Sequence, residues 1–314
     1  MQTLTSQNSP YVGRFAPSPT GVLHMGSLMA AVASYLDARK NGGQWLLRIE
    51  DLDPPREVPG AAQSILSTLE RFGFEWDGAV LWQSQRELRY RAMLERLIEA
   101  GAAYQCTCTR KMIQSDGLLG IDGARYVGRC RERSMMETVK AAYRIKVSND
   151  LLEVVDRVQG VVSQRLFDDL GDFVIRRADG LWAYQLAVVV DDADSGVTHI
   201  VRGADLLDST PRQRYVQQVL NLYQPQYLHI PVITNSRGEK LSKQTLAPAL
   251  LSSNEAAQLW QALYLLWQQP LIDMKAAPLF ELWEWALESW DVAKIPQKRS
   301  VAVTIDRKNE YKFL

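Results

Sequence analysis

The chain has 314 residues, 46% of them hydrophobic and 23% charged, with 36 basic side chains balanced by 36 acidic ones. That length holds one large or two modest domains with a real core, and a net charge of zero offers no global attraction to nucleic acid, so any such contact has to use local patches. No apolar run approaches the ~20 residues that span a bilayer, the first ten residues lack the basic and apolar regions of a secretory leader, and three cysteines make no disulfide framework, which together read as a cytoplasmic protein with no membrane contact.

Taken in order, the stretch from Tyr11 to Phe15 predicts a short strand. Pro17, Pro19 and Gly21 then impose a stiff exposed loop. Leu28, Met29, Val32, Tyr35 and Leu36 recur at helical spacing until Asn41-Gly42-Gly43 ends the pattern. A strand, a loop and a helix amino terminus make a place for anions, because free N–H groups and the helix dipole both favour negative charge. Gly26 there lets a ligand approach the backbone, and His24 offers a donor beside it.

The apolar run at residues 44–49 reads as a strand buried on both faces. It ends in Glu50-Asp51, carboxylates at the carboxyl end of a strand, where open α/β sheets bind ligands. Helical patterns cover 61–72 and 85–100, and this alternation predicts an α/β fold built on a doubly wound parallel sheet. From 101 to about 180 the character changes, with Cys106, Cys108, Tyr126 and Cys130 in a weakly patterned run and β-like segments at 141–147 and 158–162. We read this as an insertion that splits the nucleotide-binding fold into halves at 1–100 and 181–250.

Residues 181–190 read as another buried strand, 211–222 as a helix and 227–233 as a strand. The turn Asn235-Ser-Arg-Gly238 then leads into Lys240-Leu-Ser-Lys243. A loop carrying two lysines around a serine suits a triphosphate, where charge must be held as pyrophosphate leaves. The region 251–314 is expected to be helical at 254–268 and 279–290, ending in a loosely held tail at 307–314. The three thiols suit Zn²⁺, but a tetrahedral site needs a fourth ligand. No fourth cysteine exists and the three histidines are distant, which leaves Asp116 or Asp122 as candidates.

Pro17-Ser-Pro-Thr-Gly21 with His24-Met-Gly26, taken together with Lys240-Leu-Ser-Lys243, resemble the two signature motifs of class I aminoacyl-tRNA synthetases. The wording of the first is that of the glutamyl/glutaminyl branch. The likeness runs from about Tyr11 to Ser242 and takes in Val188-Val-Val-Asp-Asp192 and the segment from Gly196 to Asp205. The resemblance implies a Rossmann-like core that activates L-glutamate with ATP and Mg²⁺ to glutamyl-adenylate. It implies that Arg14 and Arg202 pair with the carboxylates of glutamate, that Tyr184 lines the same pocket, and that Glu50 takes the amino group. The backbone of Arg14, Phe15, Ala16, Pro17 and Ser18 would wrap the amino acid.

ATP would be held by His24, Gly26 and Lys243, with His24, Lys240 and above all Lys243 stabilising the departing pyrophosphate from a mobile loop. No general base is required, since the substrate carboxylate is already a nucleophile. A guanidinium binds a carboxylate through two N–H bonds and rejects a neutral amide, so glutamine should be excluded. The resemblance also makes Tyr126 the fourth ligand of one structural zinc.

Only 71 residues follow Lys243, too few for the helical anticodon-binding region of a full synthetase. The chain therefore resembles the truncated paralogues that attach glutamate to the queuosine base in the anticodon loop of tRNA(Asp), and it is expected to act as a monomer. Gln185 stands where relatives often have Asn, and Leu206 where full synthetases often have His. Rival readings are a minimal synthetase charging the 3′ end of tRNA(Glu), a small-molecule nucleotidyltransferase, and a non-catalytic tRNA-binding module. A module relieved of catalysis has no need of His24, Gly26, Glu50, Arg202 and Lys243 together.

Overall fold

Strand Val12–Phe15 and strand Gln44–Ile49 run parallel in the register Val12 to Gln44, and Leu81–Trp82 extends the sheet beyond the second of them, also in parallel. On the other side of Val12–Phe15 lies strand His199–Gly203. Thr198 N–H bonds to the Val12 carbonyl at 2.9 Å, and Val12 N–H bonds to Thr198 Oγ1 at 2.8 Å. His199–Gly203 pairs in parallel with Gln226–Ile230. The strands thus proceed outward in both directions from Val12–Phe15, and the crevice between the two halves is where doubly wound sheets bind ligands. The computed structural model describes residues 10–133, 140–241, 248–250, 252, 254–306 and 309–314.

Helix Met25–Lys40 crosses over this sheet and is buried on most of its circumference. It can be, because Ala31, Ala33, Ala38 and Ser34 let neighbours approach closely, and helices Glu255–Leu265 and Leu279–Ser289 cover its outer side. Trp45, Leu47, Ile49, Leu28 and Leu36 fill the space beneath, each burial contributing about 1.5–3 kcal/mol. The turn back into the sheet requires Gly43, whose missing Cβ would lie 2.4 Å from the Tyr11 carbonyl oxygen. Asp37, buried on this helix, accepts from Tyr11 Oη, from Arg157 and from Trp290 Nε1, and so joins strand, hairpin and carboxyl-terminal region.

Three stretches differ from the sequence reading. Residues 181–190 are not a strand: Tyr184–Asp194 is an α-helix, wedged against helices Glu87–Glu99 and Thr210–Val219. A run apolar on every side looks the same whether it is a buried strand or a buried helix, and three consecutive valines tipped the reading the wrong way. Strand Leu151–Asp156 went unrecognised because Leu151 and Val155 face solvent and blur its alternation. It forms an antiparallel hairpin with Gly160–Arg165 and meets Gln226–Ile230 through Asp156 and Tyr227. The expected loose tail contains strand Tyr311–Phe313, paired with Ser300–Ile305, which in turn runs parallel to Val232–Thr234. Tyr311 is buried and Phe313 stacks on Trp267. The longer helices otherwise fall within a few residues of the sequence reading, whereas the short helices Arg110–Gln114 and Leu166–Asp169 lie where it predicts none. Among the described residues no helix is long and apolar enough to cross a membrane.

Candidate active site

A cavity of about 610 Å³ opens at the carboxyl ends of strands Val12–Phe15 and His199–Gly203. Arg14, Phe15, Ala16, Pro17, Ser18, His24, Gly26, Glu50, Tyr184, Arg202 and Lys240 all line it. Residues far apart in sequence are therefore brought to one wall. Lys243 lies outside the described residues, as does Ser242.

The two arginines singled out from sequence are held differently. Arg14 donates from Nε and Nη2 to the two carboxylate oxygens of Asp192, at 3.1 and 3.5 Å. The same carboxylate accepts from Arg48 Nη1 at 2.7 Å, and Arg48 Nη2 lies 3.3 Å from Glu50 Oε1. These four buried groups, two cations and two anions, compensate one another. Burial alone would raise the Asp192 carboxyl, but Arg14 and Arg48 outweigh it and hold it below the usual carboxylate range. Burial pushes Glu50 above that range against the pull of the same arginines.

Arg202 stands outside that cluster. Its Nε donates to His229 Nε2 at 2.9 Å, Nη1 to Tyr184 Oη at 3.3 Å, and Nη2 to Thr210 Oγ1 at 2.9 Å and the Leu206 carbonyl at 3.4 Å. The Tyr227 ring lies beneath its guanidinium, 5.4 Å from centroid to carbon. Burial raises the Tyr184 phenol although Arg202 opposes it, so Tyr184 stays protonated. Among the described residues, every hydrogen-bonding partner of this buried cation is neutral.

At the helix amino terminus His24 is the cap, its Nδ1 accepting from Ser27 N–H at 3.3 Å. A neutral imidazole accepting at Nδ1 carries its proton on Nε2, and that nitrogen lies 3.2 Å from Ser27 Oγ, so the ring grips Ser27 through both nitrogens. Gly26 lines the cavity, but what its missing side chain spares is the His24 ring, 3.2 Å from where a Cβ would sit. Lys240 follows the turn 235–239 and bridges back antiparallel to Thr234, its Nζ 2.6 Å from Asp205 Oδ2.

Away from this cavity, Cys106, Cys108 and Cys130 present sulfurs within 4.8 Å of one another, with Cys108 and Cys130 at 3.6 Å. Tetrahedral zinc with Zn–S bonds of about 2.3 Å requires sulfurs about 3.8 Å apart, so the donor set fits a single ion. The hydroxyl of Tyr126 lies 3.4 Å from Cys106 Sγ and 3.9 Å from Cys108 Sγ and accepts from Cys130 N–H at 2.8 Å. Asp116 and Asp122, the alternative fourth ligands, are turned away to Arg129 and Arg212.

Sequence reasoning passed over Arg48, Asp156 and Thr210, met His229 only as a histidine too distant to serve the cysteines, and met Asp192 within the segment 188–192 without giving it a role. Most of them matter through a partner remote in the chain, as Arg48 does with Asp192, 144 residues away. Asp191-Asp192 after an apolar run was the available signal, because adjacent buried carboxylates need cations.

The family model for the catalytic domain of class I tRNA synthetases (E and Q) matches residues 11–260. A Glutamyl-Q tRNA(Asp) synthetase from Chromobacterium violaceum is 57% identical over 92% of this chain and 96% of the relative. Another of that name, from Pseudomonas aeruginosa, is 55% identical over the same shares. The crystal structure of glutamate-tRNA synthetase from Elizabethkingia anophelis matches with a TM-score of 0.76 at 24% identity, over 92% of this chain and 67% of that one, a likeness of fold. With most of its length matched by the family model and by relatives more than half identical, the chain belongs to the class I tRNA synthetases (E and Q), a family of ATP-dependent ligases.

Proposed function

We propose that this chain activates L-glutamate with ATP and Mg²⁺ to glutamyl-adenylate, then transfers the glutamate to queuosine in the anticodon loop of tRNA(Asp). The observation that carries the first step is Arg202, a buried cation whose protein partners are all neutral. A buried charge without a counter-charge is costly, and a substrate carboxylate beside Nη1 and Tyr184 Oη supplies one. Arg14 contributes its remaining N–H groups, and Glu50 receives the amino group. The two-bond clamp expected of each arginine is narrowed at Arg202, where Nε and Nη2 are already engaged. Discrimination against glutamine then rests on one N–H and one phenol facing an amide that brings its own donors.

In the activation step a substrate carboxylate oxygen attacks the α-phosphate, and pyrophosphate leaves with its electron pair. The chain's task is alignment and charge. His24 caps the helix amino terminus that faces the phosphates, and Lys240 and Lys243 meet the departing pyrophosphate. The choice of acceptor rests on the relatives above, whose name places the glutamate on Q of tRNA(Asp). Substrates of this kind, ATP and tRNA, locate the reaction in the cytoplasm. We assign Cys106, Cys108, Cys130 and Tyr126 to one structural Zn²⁺ that braces the 101–180 insertion and takes no part in adenylation.

Protein incubated with ATP, labelled glutamate and total tRNA tests the reading. Label is expected on the anticodon loop of tRNA(Asp) and absent when the tRNA comes from cells unable to make queuosine. Label on the 3′-terminal adenosine, or transfer to queuosine-free tRNA, would overturn the acceptor assignment.

A further inference from the structure

Arg202 does not hold its own position. Its Nε–H donates to His229 Nε2 at 2.9 Å, and His229 Nδ1 lies 2.6 Å from Asp156 Oδ2. All three side chains are buried, His229 completely. An arginine Nε only donates, so His229 Nε2 must be the lone-pair nitrogen and the ring proton must sit on Nδ1, facing Asp156. A protonated ring would set N–H against N–H, so the imidazole is neutral. Asp156 is itself anchored by the N–H groups of Val158, Gln159 and His229, at 3.0, 2.8 and 3.2 Å.

A carboxylate placed directly on Arg202 would fix the guanidinium equally well, as Asp192 does for Arg14 and Arg48. It would also cancel the charge. An imidazole between carboxylate and guanidinium passes on the position without that cancellation. We propose that Asp156 and His229 are positioning residues that lock the rotation of Arg202 while leaving its charge for a substrate carboxylate, so that preference for a carboxylate over an amide depends on a neutral histidine. This rests on the reading above that Arg202 receives a carboxylate of the amino-acid substrate.

Two substitutions separate positioning from mere packing. His229→Asn puts an amide N–H where Nδ1 was, which keeps the bond to Asp156 but leaves Arg202 Nε without an acceptor. His229→Gln reaches to where Nε2 was, giving Arg202 an oxygen and leaving Asp156 short of a donor. A packing role ranks both properties by stability, with His229→Asn the milder change. The positioning role reverses the order for substrate. His229→Asn is expected to raise the KM for glutamate in ATP–pyrophosphate exchange on the order of tenfold, with the KM for ATP unchanged and the preference over glutamine narrowed. His229→Gln restores most of that loss even where its melting temperature is lower.

Asp156→Asn is the second arm, in case neither variant folds. Its oxygen keeps the three backbone bonds, its NH₂ faces the ring, and the ring proton is driven to Nε2 against Arg202. ¹⁵N shifts of labelled histidine read the tautomer directly, with the lone pair expected on Nε2 in the wild type and on Nδ1 in Asp156→Asn. A wild-type lone pair on Nδ1 would overturn the proposal. So would a glutamate KM within twofold of wild type in His229→Asn, or glutamate and ATP KM values rising together. Absence of glutamate-dependent exchange in the wild type would instead sink the substrate reading, leaving the tautomer to decide the relay.

Discussion

At the scale of single residues, the most exposed dependence is that of His24 on Gly26. An alanine there is a better helix former, so Gly26→Ala should leave the melting temperature unchanged or raise it, by up to ~1 kcal/mol in stability. Its Cβ would nevertheless press on the His24 imidazole, which it meets at 3.2–3.3 Å. With His24 in the proposed ATP-binding role, we expect exchange to fall on the order of tenfold as the ring is displaced. Exchange at the wild-type rate in a folded Gly26→Ala protein would show that the ring has room to move.

His229 sets a pH dependence of the opposite kind. Burial lowers its pKa to about 4, with Arg202 adding to the effect and Asp156 opposing it. The unfolded chain, with a histidine near 6.5, therefore binds more protons than the native state between those values. This contribution to stability is fully present above pH 6.5 and is lost as pH falls toward 4, which urea melts across that window measure. The KM for glutamate should carry no histidine titration between pH 6.5 and 8. Residues such as Glu50, Tyr184 and Arg202 were legible in the sequence because they sit in recognisable motifs. Arg48, His229 and Asp156 were not, because each acquires its role only from a partner that folding delivers.

Among the elements, helix Tyr184–Asp194 was the one whose misreading cost most. Read as a strand, its two terminal carboxylates share one end of a sheet. As a helix it sends them to different neighbours, Asp191 to Gln83, Tyr90 and Arg86, and Asp192 to Arg14 and Arg48. The local pattern could not decide this, since a segment buried on every face has no periodicity to show. The strands Val12–Phe15 and Gln44–Ile49 and the helix Met25–Lys40 were legible because turn residues bound them and their apolar spacing is regular. Asp192→Asn removes the carboxylate to which both buried guanidiniums donate. Leaving such cations unpaired costs about 3–5 kcal/mol, so chemical denaturation should detect a large loss together with a raised KM for glutamate. A loss below 1 kcal/mol would show that water or Glu50 replaces the carboxylate.

For the whole molecule, the parallel core and the lysine-bearing loop were readable from the order of strand, turn and helix signals, whereas the carboxyl-terminal strands were not. Their partners come from another part of the chain, and Tyr311-Lys-Phe313 is too short to signal itself. The Cys106, Cys108 and Cys130 cluster makes a separable prediction. Removing metal with a chelator should speed amide exchange in 103–130 and 142–145, while 12–49, 151–165 and 199–230 keep their protection, because the sheet that joins those strands shares no ligand with the cluster. Equal loosening of both regions, or no metal in protein purified without added zinc, would refute a local structural ion.

The strand that launches Lys240 has its free edge occupied by Ser300–Ile305, and that strand carries Tyr311–Phe313 on its far side. The final residues are thus mechanically in series with the lysine loop: Leu241 N–H is clasped by the Ile233 carbonyl at 2.9 Å, and Ile233 sits beside Val301. For anyone handling the protein, the carboxyl terminus is not a neutral place for a purification tag or a surface tether. A fusion after Leu314 loads the ribbon against which Leu241 is clasped, and the expected signature is slowed pyrophosphate chemistry with glutamate affinity intact, a defect that moving the tag to the other terminus should cure.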